Sequence, residues 1–224
     1  MGVIGGPDPV VQDSIVYVID PANIKSYVSG SGTVTDIIGD TSNTITSGVQ
    51  VVANPGTAWR WPSGVTNYID CGDNDTVRPL TGEVSYNWWM YSSDNSGYRA
   101  PLACWHSSDG TKHHIWFGLY PGGHVIHFWW NGSDRFTDTV DANTWVNICV
   151  TWDGTTLTGY TNGSSFATST PGIKSDADNL SYGYDLNRAL YSFKGDLGPL
   201  YIYHKELTAA EVLQNYNALK DRFV

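Results

Sequence analysis

Over 84–91, and again over 114–120 and 126–130, the side chains alternate with a period of two, a pattern that suits pleated strands and no helix. Val84, Tyr86, Trp88 and Met90 point one way along the first run, and Ser85, Asn87, Trp89 and Tyr91 the other. The next run sets Ile115, Phe117 and Leu119 against His114, Trp116, Gly118 and Tyr120. Gly122-Gly123 then supplies a two-residue hairpin turn. Pairing across it matches Leu119 with Ile126, Phe117 with Phe128 and Ile115 with Trp130. All six then share a core face, while His114, Trp116, His127 and Trp129 gather on the opposite one. A one-residue slip would mix the two sets, so the pattern itself fixes the register.

The rest of the chain follows suit. Short strand-like runs are separated by Gly, Asn, Asp and Ser clusters, among them the hairpin signals Asn131-Gly132, Asp153-Gly154 and Asn162-Gly163. The count suggests about 12 to 14 strands in two antiparallel sheets with Greek-key connections. The polar, Thr-rich stretch from Ser29 to Gly48 reads as irregular edge strands. One helix is expected, over 208–219. Thr208 and Glu211 have capping-box spacing, and Leu207 with Val212 can form the accompanying hydrophobic staple. With 224 residues and no linker, repeat or low-complexity tract, the chain reads as one domain over 13–224 behind a flexible arm of residues 1–12.

The closing segment, Phe193-Lys-Gly-Asp-Leu-Gly-Pro-Leu-Tyr-Ile-Tyr into Leu207-Thr-Ala-Ala-Glu-Val-Leu-Gln-Asn-Tyr, resembles that of laminin G-like, concanavalin A-like lectin/glucanase domains. More narrowly it is similar to the versions found in bacteriophage and other viral structural proteins. Four further fragments follow in the family's order: Asp13-Ser-Ile-Val-Tyr-Val-Ile-Asp, Asn67-Tyr-Ile-Asp-Cys-Gly, Val84-Ser-Tyr-Asn-Trp-Trp-Met and Thr144-Trp-Val-Asn-Ile-Cys-Val-Thr-Trp-Asp-Gly. The last of these leads on to Tyr160-Thr-Asn-Gly. The resemblance implies an all-β, concanavalin A-like jelly-roll β-sandwich of two antiparallel sheets with one short C-terminal helix. It says far less about function, since one fold serves many.

Charge narrows the partners. The formal net charge of −10 disfavours nucleic acid and anionic membrane surfaces, both of which reward basic patches. Asp outnumbers Glu nineteen to three, which places most of the charge in turns and caps, where a short carboxylate bonds nearby backbone. No apolar run is long enough to span a bilayer. The amino terminus lacks the basic and apolar regions of a signal peptide and reads as a natural start. Cys71, Cys104 and Cys149 are odd in number and widely spaced, which suits free, buried thiols made in a reducing cytoplasm. One disulfide plus a free thiol stays open.

The aromatic positions carry the functional expectation. In concanavalin A-like sandwiches one sheet is concave and sugars lie on its open face. Aromatic rings stack on pyranose C–H faces while His and Asn bond hydroxyls. Trp89, Trp116, Trp129, His114, His127, Asn87 and Tyr91 have that composition and are the expected carbohydrate-binding residues. Two other readings of the same face stay open: a contact between protein subunits, where Trp and Tyr are also enriched, and plain core.

Catalysis finds little support. Glucanases of laminarinase type use paired glutamates on one strand, and retaining chemistry needs two carboxyls about 5 Å apart. Here the glutamates are Glu83, Glu206 and Glu211, and Glu83 has no acidic neighbour two or four positions on. His113-His114 are adjacent and so face opposite sides of a strand, which rules them out as a joint zinc chelate. The resemblance implies one structural calcium ion, with Asp196 and Asp20 as ligands, although Gly198 stands where the family usually carries a further acid. Asp70, Asp73 and Asp75 form a second acidic cluster.

The reading is a non-catalytic binding module, a phage virion protein such as a capsid decoration or appendage subunit. Its expected partners are glycans or cell-surface polysaccharide, other virion or capsid proteins, and further copies of itself. Its expected location is the virion after assembly in the host cytoplasm. The alternatives are a soluble secreted lectin, a divergent laminarinase-type glycoside hydrolase, and a purely structural capsid-packing protein without a ligand.

Overall fold

The computed structural model describes residues 8–224 except 40, 54–55, 63–65, 80–81, 95, 106–112, 123, 131–132, 173–178 and 187–188; the side chains of Trp105, His113, His114, Ser133 and Asp134 also lie outside the described residues. Described strands number sixteen, more than expected. They are β1 (Ile15–Ile19), β2 (Thr33–Thr35), β3 (Ser42–Ile45), β4 (Gln50–Ala53), β5 (Thr57–Trp61), β6 (Ile69–Gly72), β7 (Val84–Ser92) and β8 (Arg99–Trp105). There follow β9 (His113–Tyr120), β10 (Val125–Trp130), β11 (Ser133–Thr139), β12 (Trp145–Trp152), β13 (Leu157–Thr161), β14 (Ser164–Ser169), β15 (Leu180–Tyr182) and β16 (Gly195–Tyr203). One helix, α1 (Ala209–Phe223), closes the fold.

Every strand pair is antiparallel, and two eight-stranded sheets result. The first runs β14-β13-β12-β7-β16-β5-β4, and β1 also pairs with β16. The second runs β11-β10-β9-β8-β15-β6-β3-β2. β2 and β3 lie at one edge of it, as the Thr-rich composition suggested. β16 serves two neighbours on one flank: Gly195 to Leu197 pair with β5, and Leu200 to Tyr203 with β1. The break falls at Gly198-Pro199, where the register with β7 also shifts. A proline cannot donate to a ladder and is tolerated at such an irregularity.

The core is the space between the sheets. Val84, Tyr86, Trp88 and Met90 of β7 enter it with Leu197, Leu200 and Ile202 of β16. From the second sheet come Ile115, Phe117, Leu119, Ile126, Phe128 and Trp130. Trp88 stacks on Phe117 across the layers, ring centroids 5.5 Å apart. The hairpin register is the one the alternation predicts, with Leu119 opposite Ile126, Phe117 opposite Phe128 and Ile115 opposite Trp130. The turn is longer than expected: the ladder closes at Tyr120–Val125, which leaves residues 121–124 for the connection. Asn162-Gly163, both at positive φ, joins β13 to β14 in two residues as its sequence demands.

α1 packs on the outer face of the first sheet. Thr208 caps it: its side chain accepts from the Glu211 backbone N–H, and the Glu211 carboxylate accepts from the Thr208 N–H. Leu207 and Val212 are buried together as a staple. The helix runs to Phe223, four residues beyond the expected end, because its last turn also packs on the sheet through Phe223. Residues 8–12 depart from the expected flexible arm. Val11 is buried and donates its N–H to Asn215 Oδ1 at 2.8 Å, and Gln214 donates to the Pro9 carbonyl at 2.7 Å. Residues 1–7 lie outside the described residues. The three cysteines are buried and form no disulfide, and burial pushes the Cys71 thiol up to about 12.

Candidate functional site

One cross-strand row organises the outer face of the second sheet. Trp129 pairs with Trp116, Trp116 with Ala103, Ala103 with Ser181, and Ser181 with Asp70. Their side chains therefore stand on one face. Ala100 and Ala103 of β8 are small, and the Trp116 indole fills the space they leave. It also lies along its own strand over Gly118, where any Cβ would run into the indole ring. Tyr120 and Tyr191 stand edge-on to Trp116, centroids 5.9 and 6.0 Å away. Trp116 is left 3 % exposed. It is the floor of an aromatic cluster and not a stacking platform.

The rim of the cluster is what reaches solvent. His127 stacks on Tyr120 with centroids 3.6 Å apart, and Tyr98 packs against both Tyr120 and Tyr191. Tyr98 is 40 % exposed, while Tyr120, His127, Trp129 and Tyr191 are half-buried. Tyr191 comes from the segment before β16, anchored where the Ala100 N–H donates to its carbonyl at 2.8 Å. Its φ of 66° lies in the left-handed region, costly for a bulky residue. Sequence reasoning missed Tyr98 and Tyr191 because neither sits in an alternating run. Tyr120 does belong to the alternating run, on the same face as Trp116.

Three expected members of this site belong elsewhere. Trp89, Asn87 and Tyr91 sit on β7, in the opposite layer, so their outward positions look away from Trp116 and Trp129. Trp89 is fully buried beneath α1, stacked on Tyr216 and Phe223 at 5.7 and 4.8 Å. Asn87 is also fully buried; its amide donates to Asn147 Oδ1 at 3.1 Å and to the Ile148 carbonyl at 3.0 Å. Tyr91 is half-buried against Trp145. His114 lies on β9, but its side chain falls outside the described residues. The expected single face is thus two faces, since alternation within a strand says nothing about which layer the strand joins.

The calcium expectation fares no better. Asp196 is 1 % exposed and accepts from Arg60 Nε and Nη2 at 2.7 and 2.8 Å. That pairing holds the Arg60 guanidinium above its ordinary pKa. Asp20 accepts from Arg222 Nη1 and Nη2 at 2.9 and 2.8 Å, and from the Ala22 N–H. Each carboxylate is already engaged by a guanidinium fork. At Gly198, where a further ligand would stand, a Cβ would lie 2.9 Å from both Trp89 and Phe223. These residues do not fit a calcium ion. Asp70 instead accepts from the Asn179 amide and the Gly72 N–H, and Asp73 pairs with Arg78. Among the described residues no cluster of three or more His, Cys, Asp or Glu could hold a metal.

The three glutamates serve the junction between β16 and α1. Glu211 completes the cap and pairs with Lys205 at 2.8 Å, and Glu83 accepts from the Glu206 N–H at 3.1 Å. Burial, then Asp153 and Glu83, hold the Glu206 carboxyl above its ordinary range.

A family model described as the concanavalin A-like lectin/glucanases superfamily, of laminin G type, matches residues 63–213. By sequence the chain matches none of the curated proteins. Among solved structures, domain 4 of AbnA, a GH43 extracellular arabinanase from Geobacillus stearothermophilus in complex with arabinotriose, superposes with a TM-score of 0.68 at 18 % identity, covering 91 % of this chain and 98 % of that one. The binding domain of botulinum neurotoxin DC in complex with SialylT gives 0.68 at 14 % identity, over 92 % of this chain and 52 % of that one. Trypanosoma rangeli sialidase in complex with the inhibitor DANA gives 0.73 at 9 % identity, over 96 % of this chain and 34 % of that one. The chain thus spans about a third of the sialidase's length. Likeness at these identities speaks for the fold alone.

Proposed function

The chain belongs to the concanavalin A-like lectin/glucanases superfamily, and on that premise we propose that it is a non-catalytic, glycan-binding adhesion module. The observation that carries this reading is the aromatic cluster on the outer face of the second sheet. Trp129 and Tyr98 offer rings to pyranose faces, and Tyr120, stacked under His127, supports the rim. Two solved structures of similar fold hold carbohydrate, by their descriptions arabinotriose and SialylT, which supports the ligand class. The involvement of Glu83 and Glu211 in backbone and cap bonds supports a binding role without catalysis.

For the setting we propose a phage virion, with the module as a capsid decoration or appendage subunit in contact with other virion proteins. The support is the resemblance of Phe193–Asn217 to the closing segment of such proteins. Calcium takes no part in this reading, because arginines engage the two expected ligands.

The test is a glycan-array screen of the protein and its Trp129→Ala variant. A defined sugar class should bind the parent and be lost from the variant, with an unchanged melting temperature in both. Failure of every glycan to bind, with a stable oligomer that shields Trp129 from quenching, would replace this reading with a subunit-packing role.

A further inference from the structure

A second site lies on the outer face of the first sheet. There β5, β16 and β7 run side by side with Arg60, Asp196 and Tyr91 in register. Lys194, two residues before Asp196, falls on the same face. Gly195 between them has φ +137°, and a Cβ there would collide with the Tyr91 carbonyl oxygen, so glycine is what lets β16 close onto β7. Together with Asp94 these residues line a cleft of about 440 Å³. That volume is within the range of small-ligand sites, roughly 300–1,000 Å³.

Both carboxylates of the cleft are engaged by cations. Asp196 is occupied by Arg60 Nε and Nη2. Asp94 is occupied as well: Lys194 Nζ donates to its Oδ2 at 2.6 Å, Arg99 Nη2 to the same oxygen at 2.8 Å, and the Ser96 N–H to Oδ1 at 2.7 Å. Donors remain on both cations, the two hydrogens on Arg60 Nη1 and the ammonium hydrogens of Lys194 that Asp94 does not take, beside the hydroxyls of Tyr91 and Ser93. The Arg60 side chain is 39 % exposed, so its free edge is accessible. Three cations, Arg60, Lys194 and Arg99, share the two carboxylates of Asp196 and Asp94, which leaves a single net positive charge. Such a site suits a singly charged, acceptor-rich group better than a phosphate dianion. Tyr91 adds a half-buried ring face beside the donors.

We propose that this cleft binds a carboxylate-bearing sugar, a uronic acid or similar acidic residue. Arg60 Nη1 and Lys194 Nζ donate to its carboxylate, and Tyr91 backs the ring. The site stands independently of the aromatic cluster, and Trp129 takes no part in it.

Calorimetric titration of the full chain with glucuronate tests the proposal, with glucose as the neutral analogue and inorganic phosphate as the dianion. Glucuronate should bind and the other two should bind more weakly. Lys194→Gln should weaken glucuronate about tenfold, the scale of a charge-assisted hydrogen bond, while Trp129→Ala leaves it unchanged. Arg60→Lys, which keeps a cation against Asp196 but loses the free fork edge, should show the same loss if Lys194→Gln folds poorly. Equal binding of glucose and glucuronate, tighter binding of phosphate, or indifference to both variants would overturn it. Loss of glucuronate binding in Trp129→Ala would assign it to the aromatic cluster instead.

Discussion

Two outer faces of one sandwich carry much the same residues and put them to opposite uses. On the first sheet, Trp89 and Trp145 lie beneath α1, where Phe223 seals them at 4.8 and 4.6 Å. On the second, Trp116 is sealed by two tyrosines, and Trp129, His127 and Tyr98 form a rim that water still reaches. The composition of a strand's outward positions does not decide between core and binding surface. What decides is whether another element of the chain comes back to cover them, and here the covering element is fifteen residues of helix on one side only among the described residues.

That contrast can be broken most forcibly at Trp89. Trp89→Ala should cost about 3–5 kcal/mol, since it opens a cavity between the sheet and the helix, read as a shift in the urea midpoint. It should leave glycan binding at the second sheet intact in the folded fraction. Trp116→Ala comes next, at about 3 kcal/mol, and it should also weaken glycan binding because Tyr120 and Tyr191 lose the ring they stand on. A cost as small as that of a surface substitution would mean Trp116 is a ligand platform after all.

Thr208→Ala should cost about 1 kcal/mol by removing the cap. Hydrogen exchange should quicken in α1 and leave β9 and β10 unchanged. The smallest effect sharpens the comparison electrostatically. The hydrogen bond from Lys194, ahead of the Ser96 and Arg99 bonds, holds the Asp94 carboxyl well below its ordinary value of 3.8. A carboxylate with a depressed pKa stabilises fully above that ordinary value, and the contribution fades as pH falls below it. Asp94→Asn should therefore lower stability at neutral pH and flatten the acid limb of a stability-against-pH curve. An unchanged acid limb would show that this cluster does not constrain the first sheet.

Much of this was legible in the sequence. The register of β9 and β10 follows from alternation, and the helix start from Thr208 and Glu211, because both are local patterns with a single physical solution. The layer to which β7 belongs is a matter of strand order, set by pairing with β12 and β16, distant in sequence. For that reason the alternation alone places Trp89 and Asn87 with Trp116, although they face away from it. The ion pairs Arg60–Asp196 and Arg222–Asp20 span more than half the chain in sequence and left no local trace. Tyr191 reaches the cluster through a left-handed backbone that no propensity foretells.

β16 has β7 on one flank and β5 with β1 on the other, so the first strand and the interior of its sheet are joined through the last strand. During synthesis on a ribosome, β7 and β5 must emerge and wait while more than a hundred residues follow, with the gap between them still open. Contacts so distant in sequence form slowly, and unpaired edges invite association with other chains in the meantime. The sandwich is thus completed from its carboxyl end, and a nascent chain released before Gly195 would carry an unfilled slot through the middle of its first sheet.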